Sequence, residues 1–202
     1  MSTPASSPGP GRIAAGPARE RILDAAATIM RRDGLVRATT KEIAREAGCS
    51  EALLYKNFAD KADIFLHVLL ERLPPLKLAG ALPDTGSVVR NLEDLVGDLL
   101  GFYEQGFAIT ASIFSSAELL SAHREAMTAR GAGPQGPSRI LTRYLDHEVQ
   151  RGQLLDLDTD AVARLLTGAA LHEAFLAAYT QEPIAEPARV ARRLVAALNL
   201  SQ

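Results

Sequence analysis

Residues 34–61 read GLVRATTKEIAREAGCSEALLYKNFADK, and this stretch decides how the N-terminal part of the chain folds. Thr39 followed three residues later by Glu42 predicts a capping box at the start of a short helix. Gly48 can adopt the left-handed conformation that ends this helix, and Ser50 can cap a second one. The stretch therefore predicts two short helices joined by a tight turn, which is the helix-turn-helix arrangement.

Apolar residues in the same stretch fall on one face of each predicted helix. Ile43, Ala44 and Ala47 provide the apolar face of the first helix. Leu54 and Phe58 lie four residues apart in the second, so their side chains point to the same side. The second helix is thus predicted to bury one face and to leave its polar residues exposed.

In a helix-turn-helix the second helix enters the major groove of double-stranded DNA, and neighbouring elements contact phosphates. Small side chains near the start of that helix allow close approach, and hydroxyl, amide and ammonium groups supply hydrogen-bond donors for phosphates and bases. A helix N-terminus can also hold a phosphate. The residues predicted to contact DNA are Thr39, Thr40, Lys41, Ser50, Glu51, Ala52, Tyr55, Lys56, Asn57 and Lys61.

The distribution of charge along the 202-residue chain supports a DNA-contacting role for this stretch. The whole sequence has 22 Lys+Arg and 24 Asp+Glu, a formal net charge of −2, which excludes a strongly basic coat. Residues 1–61 contain ten basic and seven acidic side chains (+3), whereas residues 62–202 contain twelve and seventeen (−5). The basic excess therefore lies with the predicted DNA-contacting segment.

The rest of the chain has the pattern of an all-α protein. Proline is absent from residues 18–73, 84–133 and 138–182, and apolar residues in these windows recur at helical spacing, which predicts about nine or ten helices in total. Residues 1–16 are rich in Pro, Gly and Ser and are predicted to be a disordered tail. No signal peptide or membrane span is recognised, so a cytoplasmic location is expected.

A set of spaced residues closely resembles the N-terminal signature of TetR-family transcriptional repressors, and the likeness covers about residues 18–70. The remaining two thirds match that family only in length and helical pattern. The residues that carry the resemblance are Thr39, Thr40, Ile43, Ala44, Ala47, Gly48, Ser50, Leu54, Tyr55, Phe58 and Lys61.

The resemblance implies three regions: the tail (1–16), a three-helix helix-turn-helix DNA-binding domain (17–61) and a larger helical effector-binding and dimerisation domain (62–202). It also implies a homodimer that binds a palindromic operator and, as a repressor, is released by a small-molecule ligand. Two-fold symmetric proteins read palindromic half-sites, which agrees with this expectation.

Two groups of residues in the C-terminal region are weaker candidates for sites. An internal pocket for an apolar effector is expected to use Phe65, Phe102, Tyr103, Phe107, Phe114, Met127, Tyr144 and His172, although such residues more often belong to ordinary core packing. Helices that are apolar on two sides are buried or lie in an interface. The expected dimer interface contains Val162, Leu165, Ala169, Phe175, Leu176, Leu194 and Leu198.

The sequence leaves the role of Glu51 open. This residue stands at the front of the second helix, where the family often has a basic or small residue. A carboxylate there repels phosphate, but it can accept a hydrogen bond from the amino group of cytosine. It can equally stabilise the N-terminus of the helix.

Signals for an enzyme are weak, and no cofactor or metal site is predicted. The GAGPQG run at 131–136 fits a G-x-G-x-x-G pattern, but no strand precedes it and Pro134 interrupts it. The single cysteine, Cys49, suits a small apolar position in the turn. The alternatives that remain are a helical small-molecule-binding protein or enzyme that has lost operator binding, and an architectural DNA binder without sequence preference.

Overall fold

A computed structural model describes residues 17–74, 76, 86–155 and 157–200. The predicted tail at 1–16 lies outside the described residues. Within those ranges, all regular secondary structure is helical and comprises nine α-helices and a short 3-10 helix. The predicted all-α class and helix number are therefore confirmed.

The chain runs through one long helix and three shorter ones before it enters the helices of its C-terminal part. In order, they are α1 (Pro17–Arg37), α2 (Thr40–Glu46), α3 (Glu51–Asn57), α4 (Lys61–Glu71), α5 (Val88–Ser112), the 3-10 helix (Ile113–Ser115), α6 (Ala117–Ala129), α7 (Gly136–Gln150), α8 (Thr159–Thr180) and α9 (Pro187–Ala196).

Side-chain caps start the three short helices that follow α1. Thr39 and Glu42 form the predicted capping box at α2, and the Ser50 hydroxyl accepts a hydrogen bond from the backbone N–H of Leu53 in α3. Asp60 caps α4 in the same way. Gly48 has a φ of 63° in the turn between α2 and α3, a conformation that costs other residues free energy.

Buried apolar side chains form two clusters along the molecule. The N-terminal cluster joins α1–α4 to the end of α5, the 3-10 helix and α6 through Ile109, Ile113 and Leu119. The C-terminal cluster joins the earlier part of α5 to α7, α8 and α9. Because Ile64 and Phe65 of α4 belong to the N-terminal cluster, the clusters do not divide at the predicted domain boundary between residues 61 and 62.

Ion pairs tie the outer surfaces of α1 and α4 together. Arg19 donates two hydrogen bonds to the Glu71 carboxylate, at 2.9 and 2.7 Å. The Arg72 guanidinium, just after α4, donates from Nε to Asp24 at 2.7 Å and also contacts Glu20. These pairs reinforce the packing of α4 against α1, and α1–α4 are called the N-terminal unit below.

Helix α8 carries apolar residues on both its buried and its exposed sides. Ala163, Leu166 and Ala170 pack into the C-terminal cluster, whereas Leu165 is 66% exposed. By length and composition, α8 is the one helix in the described ranges that could cross a membrane. Exposed apolar patches on proteins include protein–protein interaction sites and ligand-binding grooves.

Candidate nucleic-acid interface

Helix α3 is held in the N-terminal unit by one face and presents the other to solvent. Leu54 is fully buried and Phe58 is 3% exposed, so the predicted apolar face is the one that packs. Tyr55 is 51% exposed, and Lys56 is exposed beside it. The helix therefore offers a phenol and an ammonium group to a partner on its outer side.

The start of α3 carries small side chains that are exposed to solvent. Ser50 and Ala52 are both exposed, and the Ser50 hydroxyl is used by the helix cap. Between them, Glu51 is exposed and its carboxylate oxygen Oε2 accepts a hydrogen bond of 3.1 Å from the Thr40 hydroxyl. The first residues of α2 and α3 are thus linked directly.

The three predicted phosphate contacts at the start of α2 differ in their surroundings. The Thr39 hydroxyl is engaged with Glu42, accepting from its backbone N–H at 3.2 Å and lying 3.2 Å from its carboxylate. The Thr40 hydroxyl is bonded to Glu51. Lys41 is exposed, so its ammonium group is the one that the geometry leaves best placed for phosphate.

A cavity open to solvent lies next to this helix start, with a volume of about 550 Å³. Its lining residues are Arg37, Thr39, Lys41, Glu42 and Arg45. Three cationic side chains therefore surround one carboxylate, which makes the cavity suited to an anion. Arg37 and Arg45 were not among the predicted contacts, although Arg45 lies four residues after Lys41 and so shares its face of α2.

Two other predicted contacts make interactions within the N-terminal unit. Asn57 is half-buried, and its amide donates a hydrogen bond of 2.8 Å to the backbone carbonyl of Leu53. The Lys61 ammonium lies 5.1 Å from the centre of the Phe65 ring, a cation–π contact. These side chains help to fix the end of α3 and the start of α4.

The predicted pocket residues do not converge on one place. Phe65 lies in the N-terminal cluster and Tyr144 is fully buried in the C-terminal cluster. Phe114 is 76% exposed because the short 3-10 helix turns Ile113 inward and Phe114 outward, so the expectation that Phe114 lines an interior space is not supported. Met127 is half-buried on α6.

The remaining pocket candidates form aromatic pairs on α5 and α8. The rings of Phe102 and Tyr103 meet edge to face at 5.1 Å, and burial raises the pKa of Tyr103 to about 12. Phe107 contacts Phe175 of α8 at 6.1 Å between ring centres. His172 is exposed and stacks on the same Phe175 ring, so a residue predicted for the dimer interface joins two predicted for the pocket.

The residues predicted for the dimer interface lie on α8 and near the C-terminal end. On α8, Leu165, Phe175 and Leu176 are exposed by 66%, 47% and 39%. The others are half-buried, and some of them also support the C-terminal cluster from its edge. These half-buried positions are Val162, Ala169, Leu194 and Leu198.

This arrangement defines a helix-turn-helix protein whose second short helix projects for contact with DNA. Residues 22–68 match the family profile described as bacterial regulatory proteins, tetR family. The transcriptional regulator SrpR of Pseudomonas putida is 31% identical over 147 residues, which is 70% of this chain and 67% of that protein. The chain belongs to the TetR family, and it is a DNA-binding transcriptional regulator.

Solved structures share the fold over nearly the whole chain. A TetR regulator from Agrobacterium tumefaciens has a TM-score of 0.74 and 20% identity, covering 93% of this chain and 96% of that one. Bacillus subtilis FadR, solved with stearoyl-CoA, has a TM-score of 0.65 and 16% identity, with coverage of 89% and 96%. Other curated relatives are aligned over only 40% to 60% of their own length.

Proposed function

We propose that the protein is a homodimeric repressor that binds a palindromic operator through α3 of each protomer and leaves it when a small molecule binds. One observation carries the DNA-binding part: α3 buries Leu54 and Phe58 while exposing Tyr55 and Lys56. A helix seated in this way can enter the major groove without disturbing its own packing.

The basic cavity beside α2 supplies the second half of the proposed interface. Arg37, Lys41 and Arg45 would contact backbone phosphates flanking the bases that α3 meets. Phosphate contacts position the protein on the duplex and release counterions, which makes affinity depend steeply on salt. In this proposal the cavity grips the backbone and α3 selects the sequence.

Binding to DNA that flanks the gene of this protein, measured by fluorescence anisotropy over a salt series, tests the interface. Lys56→Ala and Arg45→Ala should each weaken binding and reduce the salt slope by about one. Arg90→Ala is the matched control, since Arg90 is exposed on α5, outside the N-terminal unit. Equal losses for Arg90→Ala, or unchanged salt slopes for the other two, would contradict the proposed contacts.

The proposed dimer uses the exposed apolar surface of α8. Leu165, Phe175 and Leu176 leave an apolar patch on one protomer that a second copy can cover. Leu165→Glu should convert the dimer to a monomer in analytical ultracentrifugation. Leu155→Glu is the control, because Leu155 is 62% exposed in the connection after α7, and it should leave the dimer intact.

The protein is proposed to act in the cytoplasm.

The effector is proposed to be an apolar small molecule. The support for an apolar effector is that Tyr103 lies in surroundings apolar enough to raise its pKa to about 12, with the Phe102 ring against it. Bacillus subtilis FadR binds stearoyl-CoA in its structure, which makes acyl compounds a sensible first panel. Release of labelled operator by one member of the panel, and not by its polar analogue, would identify the class.

The competing function is a helical small-molecule-binding protein or enzyme that has lost operator binding. The exposed carboxylate of Glu51 on α3 favours this alternative, because it repels phosphate. Cationic side chains around the neighbouring cavity favour the repressor. Competition with random DNA separates the two and also detects an architectural binder, which would show affinity without sequence preference.

A further inference from the structure

We propose that Glu51 reads a cytosine in each half-site, accepting a hydrogen bond from the N4 amino group, and that Thr40 positions its carboxylate. The inference rests on the proposed operator binding and adds the base that α3 selects. The observation behind it is the hydrogen bond of 3.1 Å from the Thr40 hydroxyl to Glu51 Oε2.

The structure favours this role over stabilisation of the helix start. The cap of α3 is already supplied by Ser50, whose hydroxyl accepts from the backbone N–H of Leu53 at 3.2 Å. The Glu51 carboxylate is instead bonded across the turn to Thr40 of α2. It is therefore held on the side of α3 that faces the start of α2, where the cationic cavity also lies.

The chemistry of a fixed carboxylate restricts what it can meet on DNA. A carboxylate only accepts hydrogen bonds, with about four lone-pair sites, and Thr40 occupies one of them. Phosphates repel it, so its partner must be a base donor. In the major groove cytosine offers its N4 amino group, whereas adenine places the N7 acceptor beside its N6 donor and guanine offers acceptors alone.

Thr40 reduces the cost of this contact by ordering the carboxylate in advance. Glu51 is exposed, and without a partner its side chain would lose rotamer freedom on binding. The Thr40 hydroxyl is also withdrawn from phosphate by the same bond. Thr40 is consequently a positioning residue in this proposal, with Lys41 and the two cavity arginines left to hold the backbone.

Selection from a random duplex library by the full-length protein, followed by affinity measurements on single-base variants, tests the inference. The wild-type protein should prefer C·G at one position of each half-site by roughly 5- to 150-fold. Glu51→Ala should lose the preference at that position alone and bind random DNA more tightly. Glu51→Gln should shift the preference to A·T, because glutamine pairs with adenine N6 and N7.

Two further variants separate base reading from general charge effects. Glu46→Gln removes one exposed carboxylate from the end of α2, and it should leave the base preference unchanged. Thr40→Val should keep the preference for the same base but reduce its size. Circular dichroism on each variant checks that the helices persist.

The outcomes distinguish this inference from the proposed function. A wild-type protein that selects no sequence would overturn operator binding itself. A wild-type protein that selects a clear site, with the same C·G preference retained in both Glu51 variants, would overturn the reading role of Glu51 and leave operator binding standing. An identical loss of preference in Glu46→Gln would show a charge effect and would also overturn that role.

Discussion

The two buried clusters belong to regions that differ in the length of their helices and in how those helices are stabilised. In the N-terminal unit, α2 and α3 have seven residues each, and a side-chain cap starts both. In the C-terminal region, α5 and α7 have 25 and 15 residues, and neither start has a side-chain cap hydrogen bond, whereas Asp158 caps the 22-residue α8. Short helices are marginal by themselves and need such local support, whereas long helices draw their stability from the surface that they bury.

The two regions also differ in where their ionisable side chains lie. The N-terminal unit places its ions at the surface, where Arg19 and Arg72 bridge α1 to α4. The C-terminal cluster keeps ionisable groups in apolar surroundings, as Tyr144 is fully buried and burial raises its pKa. Changes of core volume, pH and backbone conformation should therefore affect the regions separately.

Core truncations should give the largest effect and should act locally. Leu54 and Leu99 are each fully buried, one in each cluster. Replacing either by alanine should cost about 2–5 kcal/mol of stability, from lost burial and the cavity left behind. Hydrogen exchange should show faster opening of α1–α4 in Leu54→Ala and of α7–α9 in Leu99→Ala.

Leu155→Ala serves as the control for these truncations, because this leucine is 62% exposed in the connection after α7 and contributes little to the core. It should leave hydrogen exchange in both clusters unchanged. Uniform loss of protection in Leu54→Ala would mean that α5 couples the clusters into one cooperative unit, and the two regions would then not be energetically separate.

Alkaline pH should loosen the C-terminal region. Burial favours the neutral phenol of Tyr103 and raises its pKa to about 12 from an ordinary value of 10.0. Since the folded state holds this proton longer than the unfolded state, the stability from Tyr103 is complete below pH 10 and is lost as pH rises toward 12. The difference in phenolate absorbance between the wild type and Tyr103→Phe should show the late titration. A step near pH 10 with the helices intact would contradict it.

Replacing glycine by alanine should change the free energy of unfolding in opposite directions in the two regions. Gly48 has a φ of 63° in the turn after α2, and Gly97 lies inside α5; a methyl group at either would meet no atom within 4 Å. Gly48→Ala should cost about 1–2 kcal/mol through the left-handed backbone. Gly97→Ala should gain about 0.5–1 kcal/mol through helix propensity. Urea unfolding measures both, and a matching sign for the two would contradict the backbone argument.

The same contrast explains what could be predicted from sequence. The caps at Thr39 and Ser50 and the turn at Gly48 depend on residues within three or four positions, and the structure confirms all of them. The basic cavity itself is not predicted from sequence, although Thr39 and Lys41 of its lining are among the predicted DNA contacts. Arg37 reaches the cavity from the end of α1. Its position depends on how α1 packs on α2.

The spacing of apolar residues does not predict which helices pack against each other. A stripe on a helix shows which residues are buried but not which helix covers them. Phe65 and Tyr144 were therefore grouped in one expected pocket, although they lie in different clusters. Phe107 and Phe175 were assigned to different sites, although their rings meet at 6.1 Å.

Acidic pH should lower the stability of the N-terminal unit, and this is the smallest of the predicted effects. The hydrogen bonds from Arg19 hold the pKa of Glu71 below its ordinary value of 4.5. Because the folded state favours the carboxylate, this stability is present above pH 4.5 and is lost as pH falls through the lower folded value. The pair is partly exposed, so the loss should stay under about 1 kcal/mol. The protection of α1 and α4 amides, relative to the intrinsic exchange rate at each pH, should fall more steeply on acidification in the wild type than in Glu71→Gln, with α7–α9 unaffected. Equal slopes in the two proteins would show that the Arg19–Glu71 pair contributes nothing to the unit, and that α4 is held by its apolar packing through Ile64 and by the Arg72 pairs.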